Sequence, residues 1–565
     1  MTDAIRARRR WLWLATAALV VVSCIAVVVA ALVVPGLVRG LTAVASPPPS
    51  YVEEAAAAGV EHVYDGDFGY FVGGGVAAFD CDDDGRPDLY VAGGSKPAAL
   101  FRNHSPVGGA LRFEPVPDPV TDLEAVTGAY PIDIDSDGIT DLAVLRYGEN
   151  VLLRGRGNCR FERANEAWAF DGGDLWTTAF SATWERDATW PTLAFGNYHD
   201  EAFTDPAELC QANELVRPAP DGGGFGPAVP LTPSWCALSM LFSDWNRTGQ
   251  RDLRVSNDRH YYSDLSDGEE QLWRMTPGEP PALYTTDDGW QPFRIWGMGI
   301  ASQDLDGDGR PEIFLTSQGP NVLQTLADGA TGPEFQNITL ASRATADRPY
   351  AGGDPQRSTA WHAEFDDVNN DGFEDLFVTK GNVEAMPDFA ARDPSNLLIG
   401  QPDGSFDEGG ESAGIVDYAR GRGGAVVDLN LDGLLDIVEV KRRENVRIRR
   451  NLGAGSAGLA SPMGHWAAVR LQQPGPDPDA IGAWISVRTS DRTIDRELTV
   501  GGGHVSGQLG WTHVGLGQAT SAEVRVEWPD GEVGPWLPLP VDGFSVVERG
   551  ANGDDAVRPW EPSDE

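Results

Sequence analysis

Short runs of alternating apolar and polar residues, separated by turns rich in glycine, proline and aspartate, fill most of the chain. Alternation with a period of two is typical of β-strands that bury one face. The runs recur from about residue 51 to residue 549. The pattern therefore predicts an all-β fold for nearly the whole chain.

A nine-residue motif, Asp-x-Asp/Asn-x-Asp-Gly-x-x-Asp followed by an apolar run, recurs along these strands. Its copies begin at residues 80, 133, 244, 304, 367 and 428, with gaps of 53, 111, 60, 63 and 61 residues. The gap of 111 is close to two periods, so we expect a third repeat that has lost its motif, with LAFGNYHDEAFTD at residues 193–205 in its place. Seven repeats of about 60 residues predict a seven-bladed β-propeller over residues 51–455.

The motif itself predicts a cation site in each repeat, and its copies are numbered here by repeat as loops 1, 2, 4, 5, 6 and 7. Oxygen side chains at alternate positions around a tight turn suit Ca²⁺, which accepts six to eight oxygens, better than Mg²⁺. The candidate ligands are Asp80, Asp82, Asp84 and Asp88 in loop 1; Asp133, Asp135, Asp137 and Asp141 in loop 2; Asp244, Asn246 and Asp252 in loop 4; Asp304, Asp306, Asp308 and Glu312 in loop 5; Asp367, Asn369, Asp371 and Asp375 in loop 6; and Asp428, Asn430, Asp432 and Asp436 in loop 7.

We expect about six Ca²⁺ sites, of which loop 4, with only two acids, is the weakest. An EF-hand would need flanking helices and a glutamate at position 12, but that position is apolar in five loops and only loop 7 has Glu439. The prediction is therefore a strand–loop–strand site. The alternative is a set of turns without metal, since aspartate and glycine are ordinary turn residues.

The N-terminus predicts export. Four arginines at residues 6–10 precede 27 uncharged residues, 11–37, which is long enough for a spanning helix. We expect a cytoplasmic basic tail at 1–10, a transmembrane signal anchor at 11–38 and a Pro-rich linker at 39–50. This would give a single-pass protein of the cell membrane with the propeller outside. The alternative is a signal peptide cleaved after Ala45, which would make the protein secreted.

The cysteines agree with an oxidising compartment. Cys24 lies in the apolar N-terminal segment, and the other four follow it. Cys210 and Cys236 are the closest pair in sequence and are the preferred disulfide. The chain has no CxxC motif, so a structural zinc site or a thioredoxin-like centre has no support.

Charge and missing motifs narrow the function. The net charge of −42 repels phosphate backbones and argues against nucleic-acid binding. HExxH, Gly-x-Ser-x-Gly and Walker motifs are absent, and the eight histidines are scattered, so no catalytic residue and no enzyme activity is predicted. His504 and His513 are the least ordinary pair, but they do not define a site.

The C-terminal region has its own β-rich pattern. AAVRLQ, WISVRTS, IDRELTV and AEVRVEW alternate apolar and polar residues, which predicts a small β domain over residues 463–549. Glycines 501–503 and the sequence Gly515-Leu516-Gly517 need backbone freedom, as turns or close contacts do. Residues 550–565 are polar and acidic and are expected to be disordered.

Together the repeats resemble a known family. GGGVAAFDCDDDGRPDLYVAGG, WGMGIASQDLDGDGRPEIF and STAWHAEFDDVNNDGFEDLFVTKGNV resemble the FG-GAP/VCBS repeats of integrin-α-like propellers. IGAWISVRT, GGGHVSGQLGWTHVGLG and VRVEWPDGEV resemble an ASPIC/UnbV domain, as in the cartilage acidic protein 1 family. The resemblance implies calcium at the motif acids and an extracellular binding role.

Three functions follow as hypotheses. The leading one is a non-enzymatic, calcium-stabilised surface propeller that acts in binding or adhesion, with an extracellular protein or glycan as its partner. The second is an accessory or enzymatic role in a secreted natural-product (enediyne-type) or glycan-processing pathway. The third is a folding or assembly factor for other envelope proteins.

Overall fold

The structure is a computed structural model, and it describes residues 46–186, 188–199, 209–220, 222–259, 268–456, 458–550 and 553–563. The expected basic tail, the expected signal anchor and Cys24 lie outside these residues. Among the residues that are described, no helix is both long enough and apolar enough to cross a membrane.

Twenty-eight strands over residues 51–451 form seven antiparallel groups of four within the described chain. The first β-strand, β1 (Tyr51–Glu53), pairs with a strand of the last group. Sheet 1 contains β2 (Val76–Phe79), β3 (Asp88–Val91), β4 (Ala99–Asn103) and β5 (Phe113–Pro115); sheet 2 contains β6 (Val126–Ile132), β7 (Asp141–Gly148), β8 (Val151–Gly155) and β9 (Phe161–Arg163); sheet 3 contains β10 (Leu175–Thr183), β11 (Thr192–Asn197), β12 (Asn213–Val216) and β13 (Val229–Leu231).

The remaining groups repeat this order. Sheet 4 contains β14 (Ala237–Ser243), β15 (Asp252–Asn257), β16 (Gln271–Arg274) and β17 (Ala282–Leu283); sheet 5 contains β18 (Gly297–Gln303), β19 (Glu312–Ser317), β20 (Val322–Leu326) and β21 (Phe335–Asn337); sheet 6 contains β22 (Ala360–Asp366), β23 (Asp375–Lys380), β24 (Asn396–Gly400) and β25 (Phe406–Glu408); sheet 7 contains β26 (Gly421–Val427), β27 (Asp436–Lys441), β28 (Arg447–Asn451) and β1. A four-residue helix, α1 (Gly410–Ala413), and short 3₁₀ turns at Phe68–Tyr70 and Thr286–Asp288 lie between strands.

The seven sheets close into a propeller-like ring. The first strand of each sheet contacts the first strand of the next, and β26 returns to contact β2. Buried apolar side chains between neighbouring sheets form the core, as with Phe180 and Phe195 against Tyr130. Closed arrangements of this kind leave few exposed sheet edges. The prediction of an all-β fold is confirmed.

The C-terminal region forms two further four-stranded sheets. Sheet 8 contains β29 (His465–Gln472), β33 (Thr512–Gly517), β36 (Gly543–Glu548) and β37 (Ala556–Trp560); sheet 9 contains β30 (Trp484–Arg488), β31 (Thr493–Glu497), β34 (Ala522–Glu527) and β35 (Leu537–Leu539). Val469, Ile485 and Trp528 belong to the core that joins the two sheets. We call this unit, residues 465–560, the C-terminal domain.

One segment of the C-terminal domain enters the ring. We call residues 500–509, which include β32 (Gly507–Leu509), the channel segment. β32 runs parallel to β2, and single bridges join the segment to β6, β10, β14 and β18. His504 and Gln508 contact β22, and Ser506 lies against Gly423 of β26. The channel segment therefore touches the first strand of all seven sheets.

Close packing around the channel segment explains its three successive glycines. Gly501, Gly502 and Gly503 all have positive φ, at 133°, 70° and 54°. A Cβ on Gly501 would lie 2.5 Å from Ser181 Oγ, and one on Gly503 would lie 2.5 Å from His362 Cε1. The expectation that these glycines serve close contacts is confirmed.

Two disulfides fix the ring. Cys210 pairs with Cys236, as predicted. Cys81 also pairs with Cys159, which the sequence did not single out. Because Cys81 is the second residue of loop 1 and Cys159 precedes β9, this bond links loop 1 to sheet 2.

Three expected segments differ from the structure. Residues 46–50 are not a free spacer, since Pro49 is buried and the Ser50 N–H donates to Gly453 O at 2.9 Å. The tail expected to be disordered contains β37, which pairs with β36. The third repeat has its loop at residues 184–191, because residues 193–197 are in β11. Counting the period alone placed that loop too late.

Candidate metal-binding loops

Each acidic loop joins the first and second strands of its sheet. Loop 1 joins β2 to β3, and loops 2, 4, 5, 6 and 7 have the same place in sheets 2, 4, 5, 6 and 7. The expected strand–loop–strand context is confirmed. We call the end of the ring that carries these loops the loop face.

The first acid of each loop folds the turn around itself. In loop 2, one oxygen of Asp133 accepts the N–H of Asp137 at 3.1 Å and the other accepts the N–H of Gly138 at 2.8 Å. The first acids of the other loops accept backbone N–H groups from their own turns in the same way. The motif glycine has positive φ in all six loops, which is why the sequence keeps glycine there.

The ninth residue fastens the loop to the sheet. In loop 2, Asp141 accepts the N–H of Ile134 at 2.8 Å and the N–H of Gly155, at the end of β8, at 2.7 Å. The closing acids of loops 1, 6 and 7 repeat this pair of bonds. This predicted ligand therefore has a structural role in addition to its place beside the cluster.

The third residue of three loops points an oxygen into the loop without a hydrogen-bond partner. Oδ1 of Asp82, of Asp135 and of Asn430 is buried and accepts no hydrogen bond. In two of these loops the third residue belongs to a group of three carboxylates whose oxygens lie within 4.8 Å of one another. The groups found among the described residues are Asp80, Asp82 and Asp88; Asp133, Asp135 and Asp141; and Asp304, Asp306 and Asp308. A fourth group contains Cys81 and Cys159, which are joined as a disulfide.

Burial makes these carboxylates reluctant to ionise. Desolvation, followed by repulsion from neighbouring acids, raises the pKa of Asp133 to about 7 and that of Asp428 to about 8. Desolvation also raises the pKa of Asp80 and of Asp304 to about 6. The pKa of the closing acid Asp141 is raised well above its usual value for the same reason. Such a cluster is relieved by a positive charge inside the loop.

Arginine supplies part of that charge in loops 1 and 2. Arg154, at the end of β8, places Nε 2.7 Å from Asp135 Oδ2 and Nη2 2.8 Å from Asp137 Oδ2. Arg102, at the end of β4, pairs with Asp82 in loop 1. These guanidinium groups contact the third and fifth residues from outside and leave Oδ1 of Asp82 and of Asp135 without a partner.

Loop 4 differs, as its composition predicts. Thr248 stands at the fifth position and donates its hydroxyl to Asn246 Oδ1 at 2.8 Å. The closing acid, Asp252, accepts hydrogen bonds from Trp245 Nε1 at 2.9 Å and from the Tyr284 hydroxyl at 2.8 Å. Loop 4 thus has a threonine at the fifth position, where the other five loops have an aspartate. Side-chain hydrogen bonds also hold its closing acid, Asp252.

The third repeat has no acid at the motif positions. Trp184 occupies the first position and is buried, and Thr192 occupies the ninth and donates to Glu185 at 3.0 Å. Glu185 in turn forms an ion pair with Arg217 at 2.6 Å. Aromatic packing and an ion pair stabilise this turn.

The C-terminal domain lies on the loop face. Arg496 bridges Asp366 at 2.7 Å and Glu374 at 2.6 Å, beside loop 6. Glu497 accepts the N–H of Asp244, the first residue of loop 4, at 2.8 Å. Trp511 Nε1 donates to Gly85 O of loop 1 at 3.0 Å. The sequence did not predict this interface, since its residues are polar or aromatic and widely separated along the chain.

The two histidines singled out in the sequence are buried at this interface. His513 bonds Asn370 Oδ1 at 2.6 Å, and His504 lies in the channel segment. Desolvation lowers the pKa of each to about 3. Both are therefore neutral at pH 7, and they have different hydrogen-bond partners: Asn370 for His513, and Leu238 and Gly73 for His504.

Two regions of the chain match known protein families. The family described as FG-GAP-like repeat matches residues 80–144, which contain loops 1 and 2. The family described as ASPIC and UnbV matches residues 473–553, within the C-terminal domain.

Curated relatives point the same way. Cartilage acidic protein 1 of Xenopus tropicalis is 24% identical over 214 residues, which is 36% of this chain and 30% of the relative. Cartilage acidic protein 1 of Mus musculus is 25% identical over 239 residues, which is 42% of this chain and 34% of the relative. The matches thus span about a third of the length of these relatives.

Solved structures match much of the chain with low TM-scores and low sequence identity. An Agrocybe aegerita lectin that recognises non-reducing terminal N-acetylglucosamine has a TM-score of 0.39 and 15% identity, covering 69% of this chain and 92% of the lectin. The Dos1 propeller has a TM-score of 0.32 and 10% identity, covering 73% of this chain and 96% of that one. Residues 80–144 therefore match FG-GAP-like repeats, residues 473–553 match an ASPIC and UnbV domain, and part of the chain is similar to cartilage acidic protein 1.

Proposed function

We propose that the protein is an exported, calcium-binding, seven-bladed propeller that acts as a non-enzymatic binding module for an extracellular protein or glycan. The relationship to cartilage acidic protein 1 supports an extracellular binding module. One observation most directly supports calcium binding. Oδ1 of Asp82, of Asp135 and of Asn430, each at the third position of its loop, is buried and has no hydrogen-bond partner.

The donor set favours Ca²⁺. Every candidate ligand in the loops is an oxygen, which suits a hard cation, and the loops offer carboxylates, amide oxygens and backbone carbonyls for a flexible shell. Asp80, Asp82 and Asp84 would hold the ion in loop 1, Asp133, Asp135 and Asp137 in loop 2, and Asp428, Asn430 and Asp432 in loop 7. A bound cation would supply the positive charge that the buried carboxylates lack, so its role would be to stabilise the ring.

The partner would bind on the outer surfaces. The channel segment fills the ring from the loop face, and the C-terminal domain covers much of that face. At the opposite end, Arg442 fastens residues 66–70 by donating to Gly66 O at 2.7 Å and to Tyr70 O at 2.9 Å. Loops at that end and the outer strands are the surfaces left for recognition.

Calcium binding can be tested on the full chain exported by its host. Bound metal is counted by elemental analysis after gel filtration, and thermal unfolding is followed with and without a chelator. We expect several Ca²⁺ per chain and a lower melting temperature in chelator, restored by Ca²⁺ but not by equal Mg²⁺. Asp135→Asn should remove one ion, and Glu185→Gln, in the repeat without acids, should remove none. Absence of bound Ca²⁺ together with identical unfolding curves would reject the proposal.

Binding is tested with the same protein immobilised. Envelope extract and purified glycans are passed over it in millimolar calcium and in chelator. Retention of a defined protein or glycan in calcium supports a binding module. If nothing is retained while the protein stays folded, the binding role loses its support.

A further inference from the structure

Ser46, the first residue that the structure describes, lies against loop 6. The backbone nitrogen of Ser46 lies 2.6 Å from Asp371 Oδ2, the fifth residue of the loop. The side-chain amide of Asn369, the third residue, donates to Ser46 O at 3.2 Å. Residue 46 thus contacts the third and fifth residues of loop 6, two of the cation ligands that the motif predicts.

The residues after Ser46 are held in place. The N–H of Leu452 donates to Ser50 O at 2.8 Å, and Pro49 is buried. Pro48 lies close enough to Gly409 that a Cβ there would approach its ring at 3.0 Å. Ser46 itself lines a groove of about 880 Å³ beside loops 5 and 6.

The third residue of loop 6 is hydrogen-bonded differently from the third residues of loops 1 and 2. Oδ1 of Asn369 accepts the N–H of Asp371 at 3.1 Å, so this oxygen is already used, unlike Oδ1 of Asp82 or of Asp135. Loop 6 is also not among the groups of three close carboxylates found in the described residues. An amide nitrogen offers Asp371 one hydrogen and no charge, whereas an α-ammonium offers three hydrogens and a full positive charge.

We propose that the mature chain begins at Ser46 and that its α-ammonium group is the cation held by loop 6. A peptidase would hydrolyse the bond between Ala45 and Ser46, with the hydroxyl of water going to the Ala45 carbonyl carbon and a hydrogen to the Ser46 nitrogen. The new amine then takes a further proton from water. Ala43 and Ala45 are small residues at the third and first positions before the cut, which is the pattern of a signal-peptide cleavage site. The inference rests on the export that the proposed function includes.

The N-terminus is the first test. The full chain is expressed in a host that exports it, and the exported protein is examined by intact mass and by N-terminal peptide mapping. We expect a free amine on Ser46. An exported protein that retains residues before Ser46, or begins after it, overturns the inference and leaves the calcium proposal intact. A chain that is never exported removes both.

The occupant of loop 6 is tested by metal counting. Asp371→Asn should leave the number of bound Ca²⁺ unchanged and lower the melting temperature, whereas Asp135→Asn in loop 2 loses one ion. Loss of one ion from Asp371→Asn would show that loop 6 holds metal and overturn the assignment of the ammonium. A second variant needs no change in the loop. One glycine inserted between Ala45 and Ser46 moves the amine away from Asp371 and should lower the melting temperature of the processed chain.

Discussion

The backbone N–H of His504 donates a hydrogen bond to Nδ1 of His362 at 3.2 Å, across 142 residues of sequence. His362 lies in β22 of the ring, and His504 lies in the channel segment of the C-terminal domain. The C-terminal domain is therefore bound at the centre of the ring as well as on its loop face. Substitutions in the channel segment should therefore weaken the attachment of the C-terminal domain to the ring.

Replacing a channel glycine should test that attachment. Gly503→Ala would place a Cβ 2.5 Å from His362 in a backbone with φ of 54°. Overpacking and the positive φ together should lower the free energy of unfolding by about 2–4 kcal/mol. Denaturant unfolding measures the loss. Gly543→Ala is the control, because a Cβ there meets nothing within 4 Å and its φ is not in the left-handed region. Equal stability of the two variants would contradict the role of the channel segment.

Acidification should destabilise the channel through His504. Nε2 of His504 accepts the Gly73 N–H at 3.3 Å, so Nδ1 carries the hydrogen that faces Leu238 O. Burial lowers the folded pKa to about 3 from 6.5, so the unfolded chain binds more protons between these values. The contribution of neutral His504 to the free energy of unfolding is therefore fully present above pH 6.5, and it is lost as the pH falls towards 3. At pH 5 the loss should be about 2 kcal/mol.

The variant His504→Gln isolates this contribution. Its free energy of unfolding should fall less between pH 7 and pH 5 than that of the wild-type protein, by about 2 kcal/mol. His104→Gln changes an exposed histidine and should leave the wild-type pH dependence in place. If His504→Gln follows the same slope as the wild type, burial of a neutral His504 is not the cause.

Arg154 should compete with calcium in loop 2. Its guanidinium contacts Asp135 and Asp137, and Arg154→Leu would remove a positive charge that repels the ion. We expect roughly 5- to 30-fold tighter Ca²⁺ binding at this loop, or about 1–2 kcal/mol. Titration against a chromophoric chelator measures it. Arg163→Leu is the matched control, since Arg163 pairs with Glu149 in the turn between β7 and β8, away from loop 2. Equal shifts in both variants would show only a general effect of charge.

The last strand should be needed for stability. Trp560 of β37 packs against Trp511 with ring centroids 5.1 Å apart, and a Cβ on Gly85 of loop 1 would meet its ring. Trp560→Ala should cost about 1–3 kcal/mol, less than for a fully buried tryptophan because its ring is partly exposed. Thermal unfolding measures this loss. Val533→Ala, at a site that is 52% exposed, should have little effect. If Trp560→Ala had the melting temperature of the wild-type protein, residues 550–565 would not be needed for stability.

The repeat made much of the ring predictable. The motif fixes a tight turn because Asp133 must accept N–H groups from Asp137 and Gly138, and the apolar run after it begins the next strand. That local logic placed six loops between strands and needed no tertiary information. The Cys210–Cys236 bond was also found, since its partners are only 26 residues apart.

The channel segment could not be predicted in the same way. Its glycines fitted either turns or close contacts, and the partners of the segment lie far away in sequence. Gly73 and His504, which share a hydrogen bond, are 431 residues apart. The third loop was misplaced for a related reason. Trp184 and Thr192 carry no trace of the motif, so only the strands around them show where the turn is.

The pairing of β1 with β28 makes the ring's closure depend on its two ends. Tyr51 lies opposite Asn451, so the last sheet of the ring is complete only when residues 400 positions apart have met. Contacts of such long sequence separation slow folding. The N-terminal strand, made first during synthesis, must wait for β28. The last sheet can therefore close only after the chain has been made as far as residue 451.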